Sequence, residues 1–146
     1  MIDSRTYTVL QEIMKRESRS LLQYVAEAYP WATPEEQAAL AQLQQVIEEE
    51  RQGTVDIGRF LTRHRLALPY LGAYPAEFTN ANFIALDYLL PRLAEDERRA
   101  VAALEKELPS LQDAEARALV QKILDQKRQH LTTLEGLAAS HSTRAA

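Results

Sequence analysis

Apolar positions along the chain recur at alternating spacings of three and four, in four long stretches set apart by the few prolines and glycines. That period belongs to helices that bury one face in a bundle. The first stretch runs from Ser4 to Tyr29, is stopped by Pro30-Trp31, and carries Leu10, Met14, Glu17, Leu21 and Tyr24 on its stripe. The second opens at Thr33-Pro34-Glu35-Glu36, which reads as an N-cap, a first-turn proline and a glutamate three residues after the cap. It continues to Arg65, with Leu43, Ile47, Glu50, Thr54, Ile57 and His64 on one face. Leu66 to Phe78 contains Pro69, Gly72 and Pro75 and reads as an irregular connection. The third helix is expected from Thr79 or Asn80 to Leu108, kinked at Pro91, with Asp87, Leu90, Ala94, Glu97 and Val101 in its stripe. Ser110, with Asp113 three residues on, is expected to cap the fourth, whose stripe holds Val120, Ile123, Lys127, His130 and Leu134 and ends near Ala138. The expected architecture is one all-α domain, an antiparallel four-helix bundle over residues 1–138, with a flexible tail at 139–146.

The stripes are apolar except where they are ionisable. Glu17, Glu50, Lys127 and His130 stand at positions that the pattern assigns to the interior, and Asp87 is placed with them although Leu86 competes for its inward position. An unpaired buried charge costs several kcal/mol, roughly, so these residues must meet one another or reach water. Glu97 and His64 also touch the stripes but fall far from this level and read as exposed or rim residues. In the run Glu48-Glu49-Glu50-Arg51 only Glu50 points inward. Tyr24 reads as a core tyrosine.

The level of these residues also constrains the connection between the second and third helices. A tight turn there would leave Glu50 and Asp87 about 12 Å out of level. A connection crossing the whole bundle brings them closer, and 13 extended residues reach roughly 40 Å, enough to do so. A long crossover is therefore expected.

Four antiparallel helices with a long crossover after the second, and carboxylates with a histidine inside, resemble the ferritin-like superfamily, in its bacterioferritin/rubrerythrin type. In particular, Glu17-Ser-Arg-Ser-Leu-Leu-Gln23-Tyr24 is similar to the first-helix pattern of bacterioferritin, and Ile123-Leu-Asp-Gln-Lys-Arg-Gln-His130 to its fourth. The resemblance spans Ser4 to Ala138. It implies a di-iron centre built from one Glu on each of two helices and a Glu-x-x-His on each of the other two. Carried across, Glu17 matches the first-helix Glu, and Glu50 matches the second-helix Glu while Gly53 replaces its His. Asp87 stands for the third-helix Glu, one methylene shorter. Lys127 replaces the fourth-helix bridging Glu, and His130 matches its His. With Glu17, Glu50 and Asp87 ionised and Lys127 protonated, the formal charge is −2, which one divalent ion would cancel and two would exceed.

The expectation is a degenerate di-iron site: a buried Glu/Asp/Lys/His network in a non-catalytic structural or interaction protein. The alternative is a single iron or manganese ion on Glu50, Asp87 and His130, serving oxidase or oxygen-dependent chemistry. A third reading puts a small-molecule pocket at the Gly53 gap.

Composition narrows the rest. The 146 residues suit one domain, and the absence of cysteine removes disulfides, thiolate metal sites and thiol nucleophiles. Net charge is −4 with acids and bases interspersed, so the basic stripe of a nucleic-acid binder is missing. No apolar run approaches the length of a membrane span, and the start MIDSRTYTVL lacks the pattern of a signal peptide, so a cytoplasmic location is expected. Homo-oligomerisation is an expectation by analogy alone. With four glycines there is no phosphate-cradling loop.

Overall fold

The computed structural model describes residues 1–28 and 30–145, and the side chains of 1–28 and 30–140. Tyr29, the expected end of the first helix, and Ala146, the end of the expected tail, lie outside the described residues. The fold is all-α: five helices pack together, and among the described residues there is no strand, only an isolated parallel bridge between Trp31 and Ala85. The helices are α1 (Ser4–Ser18), α2 (Leu21–Ala28), α3 (Gln37–Arg63), α4 (Leu86–Glu107) and α5 (Ala114–Ala145). Among the described residues no helix is long and apolar enough to cross a membrane.

The first expected helix is two. After Ser18 the chain leaves helical geometry at Arg19, and Ser20 restarts it, its hydroxyl accepting the Gln23 N–H at 3.3 Å as an N-cap does. The Leu21 N–H, left without an intrahelical partner, donates to Asp96 Oδ2 at 3.2 Å. Serines compete with the backbone for such bonds, and Ser18-Arg19-Ser20 concentrates two of them in one turn.

Helix α3 is entered as expected, through a 3₁₀ turn at Pro34–Glu36 in which the Glu36 carboxylate accepts the Thr33 N–H at 3.0 Å. Helix α4 starts at Leu86, later than Thr79 or Asn80. Residues 76–81 form a 3₁₀ turn, Phe83 takes a left-handed φ of 54°, and the backbone around Ala85 is engaged by Trp31. Trp31 N–H donates to Ile84 O at 3.1 Å and Leu86 N–H donates to Trp31 O at 2.8 Å. Pro91 lies inside α4. Helix α5 is capped by Asp113, whose Oδ2 accepts Ala116 N–H at 2.9 Å, whereas the Ser110 hydroxyl donates back to Glu107 O. At its other end α5 stays helical to Ala145, past the last apolar position of its stripe.

The segment after α3 keeps company with α1 and α2 in sequence order. Tyr7 Oη donates to Ala67 O at 2.8 Å, Arg19 Nε donates to Gly72 O at 2.9 Å, and Tyr24 packs on Tyr74 and Phe78 with ring centroids 5.3 and 5.7 Å away. Tyr24 Oη also bonds Asn82, and Trp31 follows at Ala85.

Buried apolar side chains form two clusters. One gathers Leu21, Leu22, Val25, Leu43, Val46, Leu86, Leu89, Leu90, Leu93 and Leu134. The other gathers Leu10, Ile13, Ile57, Leu61, Val101, Leu104, Val120, Ile123 and Leu124. On α1, α3, α4 and α5 buried ionisable residues stand between the two clusters, and that layer is the candidate site.

Candidate functional site

Lys127 is the hub. Helix α5 places it one turn beyond Ile123 and Leu124, and its side chain is 2% exposed. Its ammonium lies 2.6 Å from Glu17 Oε1 on α1, 2.6 Å from Glu50 Oε2 on α3 and 3.1 Å from Glu97 Oε1 on α4. The contact to Glu50 is a well-directed hydrogen bond, while Glu17 is held at ion-pair distance off that direction. One cation thus ties three carboxylates from three helices, each carboxylate side chain 3% exposed or less.

The second row secures the first. Glu50 Oε1 accepts the Ser20 hydroxyl and the Gln23 amide, the latter at 3.0 Å, and the same amide donates to Ile47 O at 2.9 Å. Ser20 therefore both restarts α2 and fixes the carboxylate that holds Lys127. Arg16 Nε stands 3.7 Å from Glu17 Oε2, and its terminal nitrogens fork onto Glu107 at 3.1 and 2.8 Å. His130, one turn after Lys127, meets Glu49 with Nε2 at 2.9 Å and faces Glu97 with Nδ1 at 3.7 Å, too long for a hydrogen bond.

Burial pushes the Lys127 ammonium down, but the charges of Glu17, Glu50 and Glu97 outweigh it and hold the group well above the ordinary lysine value. Burial pushes the Glu17 carboxyl up; Lys127 and Arg16 oppose this and the Glu50 charge adds to it. Three carboxylates around one ammonium leave an excess of negative charge, which joins burial in raising the Glu17 carboxyl. Burial pushes His130 down, and the carboxylates of Glu97 and Glu49 more than offset it. Glu49 is held below the usual carboxylate value by His130 and by Gln45, which donates to it at 2.8 Å.

Of the expected site residues, the structure brings together Glu17, Glu50, Lys127 and His130. Asp87 stays out: it lies in the first turn of α4, partly exposed, and Leu86 takes the buried position beside it. Glu97, read from sequence as a rim residue, is 1% exposed and supplies the α4 carboxylate. Its place in the stripe signalled this. Because α5 begins at Ala114 and not beside Ser110, the level of Lys127 falls nearer Glu97 than Asp87. Glu49 is not simply solvated, since it reaches across to His130. His64 is half-buried beside Phe60, far from the cluster. At Gly53 a β-carbon would lie 3.6 Å from Ile123 Cγ1, so the isoleucine occupies the space beside the glycine.

These residues do not fit a metal ion. The position between the three carboxylates is taken by a protonated amine, which repels a cation and has no lone pair to offer while charged. Among the described residues no group of three or more His, Asp or Glu side chains is arranged as a ligand set.

No protein-family model matches the chain, and searches of curated proteins and of solved structures give no significant match.

Proposed function

We propose that this chain is a ferritin-like antiparallel four-helix bundle in which an internal ammonium does the binding work of a metal centre, and that it acts as a non-catalytic structural or interaction protein. The contact between Lys127 and the carboxylates of Glu17, Glu50 and Glu97 carries this reading. In it, α1 and α2 together count as the first bundle helix, and residues 66–85 are the long crossover. The order of contacts supports that topology. Ascending α1 and α2, Met14 meets Gly58, Ser20 meets Glu50 and Gln23 meets Ile47, so α3 descends. Along α3 and α5, Arg63 meets Glu115, Gly53 meets Ile123 and Glu49 meets His130, again in opposite directions. The segment after α3 tracks α1 upward, as a crossover must.

A catalytic reading finds little support in the groups present. Each ionisable side chain of the layer faces a partner of opposite charge, Lys127 is held protonated and is no nucleophile, and the chain has no thiol. The alternative of one iron or manganese ion needs Glu50, Asp87 and His130 in a common site, and Asp87 stands apart from the other two.

Unfolding with and without a chelator, together with metal analysis of the purified chain, tests this reading. Equal melting temperatures and no stoichiometric metal are expected. A chelator-induced loss of stability would overturn it and restore the metalloprotein.

A further inference from the structure

The crossover does not lie flat on α4. A cleft runs between residues 73–81 and the outer face of that helix, in two lobes of 640 and 440 Å³ that share Glu77, Phe78, Asp96 and Arg99. Both volumes fall in the range of small-molecule sites. The larger lobe reaches back to Lys15, Arg16 and Arg19 at the end of α1, and is apolar along Pro75, Phe78, Ala100 and Ala103.

The cations at this cleft are unequal. Arg16 is matched by Glu107, and Lys15 faces Glu12 at 3.5 Å. Arg19 has no carboxylate partner among the described residues: its donors go to the carbonyls of Gly72 and Ser18, and its guanidinium lies 4.9 Å over Tyr74. Arg99 touches a carboxylate only through Nε, 3.6 Å from Glu95, an acid that also serves Arg98. Its terminal nitrogens have no partner among the described residues, and Arg99 lines both lobes. Against these stand Glu77 and Asp96, and burial pushes the Asp96 carboxyl up, toward its neutral form. The guanidiniums of Arg19 and Arg99, with no carboxylate of their own at hydrogen-bond distance among the described residues, thus stand beside an apolar wall.

We infer that this cleft is a binding site for a small organic monocarboxylate, its headgroup on Arg99 and Arg19 and its hydrocarbon body against Phe78, Ala100 and Ala103. The planar fork of a guanidinium suits a carboxylate, and the apolar wall selects against ions with no body. The occupant would rest on the break between α1 and α2. Ser20 lines the larger lobe and bonds Glu50, and Asp96 lines both lobes and holds the Leu21 N–H. Occupancy would therefore brace the buried cluster from outside.

Calorimetry and thermal unfolding of the full chain with octanoate test this inference. Saturable binding of one octanoate per chain and a rise in melting temperature are expected, with no rise from octanamide or inorganic phosphate at equal concentration. Arg99→Gln, at a side chain 75% exposed and harmless to the fold, should weaken binding by about tenfold or more. Ala103→Phe, which fills the apolar lobe and leaves both guanidiniums intact, should abolish it. The inference is overturned by an absence of octanoate binding, by phosphate binding as tightly (a charged surface only), by octanamide binding as tightly (an apolar surface only), or by both variants binding like the parent.

Discussion

The ammonium of Lys127 and the carboxylate of Glu17 stand 2.6 Å apart at the level where the apolar interior divides in two. Neither group reaches water. Replacing the lysine by an isosteric apolar residue leaves three carboxylates facing one another, whereas replacing all the charges together removes the problem. Lys127→Met is therefore expected to cost about 3–5 kcal/mol. For a chain of this size that is a fall of roughly 10–15 °C in melting temperature. Adding Glu17→Gln should recover part of the loss, because it removes one of the stranded charges. A Lys127→Met variant that melts no lower than the parent would show that the network contributes nothing to stability.

His130 is expected to make stability depend on pH. It is faced by Glu49 from α3, Glu97 from α4 and Lys127 along its own helix, and the two carboxylates hold its folded value above 6.5. The folded chain thus binds this proton more tightly than the unfolded chain. The contribution is complete below pH 6.5 and is lost as pH rises through the folded value. It is bounded on the acid side by Glu49, held below 4.5, whose own contribution disappears as pH falls through its folded value. Melting temperatures of wild type and His130→Gln should differ most between these limits and converge on the alkaline side. A gap that stays constant with pH would assign the histidine to packing alone.

Metal capacity should follow the charge at position 127. Aerobic loading of the wild type with ferrous iron is expected to leave no stoichiometric metal on the chain and little ferroxidase activity. Lys127→Glu removes the ammonium and adds a fourth carboxylate beside Glu17, Glu50 and Glu97, so that variant should bind a divalent ion and gain melting temperature from it. Adding Gly53→His should help only if Ile123 is also shortened, since it occupies the space beside Gly53. Two irons per wild-type chain, quickly oxidised, would reverse the assignment.

A smaller test separates two candidate caps. Asp113→Ala removes the acceptor of Ala116 N–H and is expected to cost about 1 kcal/mol by urea unfolding. Ser110→Ala removes a bond to a backbone carbonyl outside the helix start and should cost much less. The reverse order would return the cap to Ser110.

The helical class and the interior ionisable positions were legible because both lie in one periodic signal. Glu17, Glu50, Lys127 and His130 each replace an apolar residue at a spacing that only an inward face explains. Glu97 carried the same signal but was set aside by a level estimate anchored on the wrong cap, and Asp87, ten residues earlier on the same helix, stood in its place. The break at Arg19 was hidden for a different reason. Ser18 and Ser20 weaken a helix only slightly, and what completes the break is Asp96, a residue far along the chain whose position no local pattern reveals. Phe83 is similar: its left-handed backbone and the Trp31 bridge depend on two loops meeting at one end.

The segment after α3 is seamed to α1 and α2 at Tyr7, Arg19, Tyr24 and Trp31. Its role is thus shared between the covalent chain and a row of lateral contacts. A cut beside the exposed Tyr70 would leave Ala67 with the first fragment and Gly72 with the second, each still facing its own partner, Tyr7 on α1 and Arg19 at the break after it. The two halves would then have to find one another by affinity, losing only the effective concentration that the linkage supplies. In that sense the molecule is already a two-piece assembly, and the peptide bonds of the segment set how readily its halves meet more than how they fit.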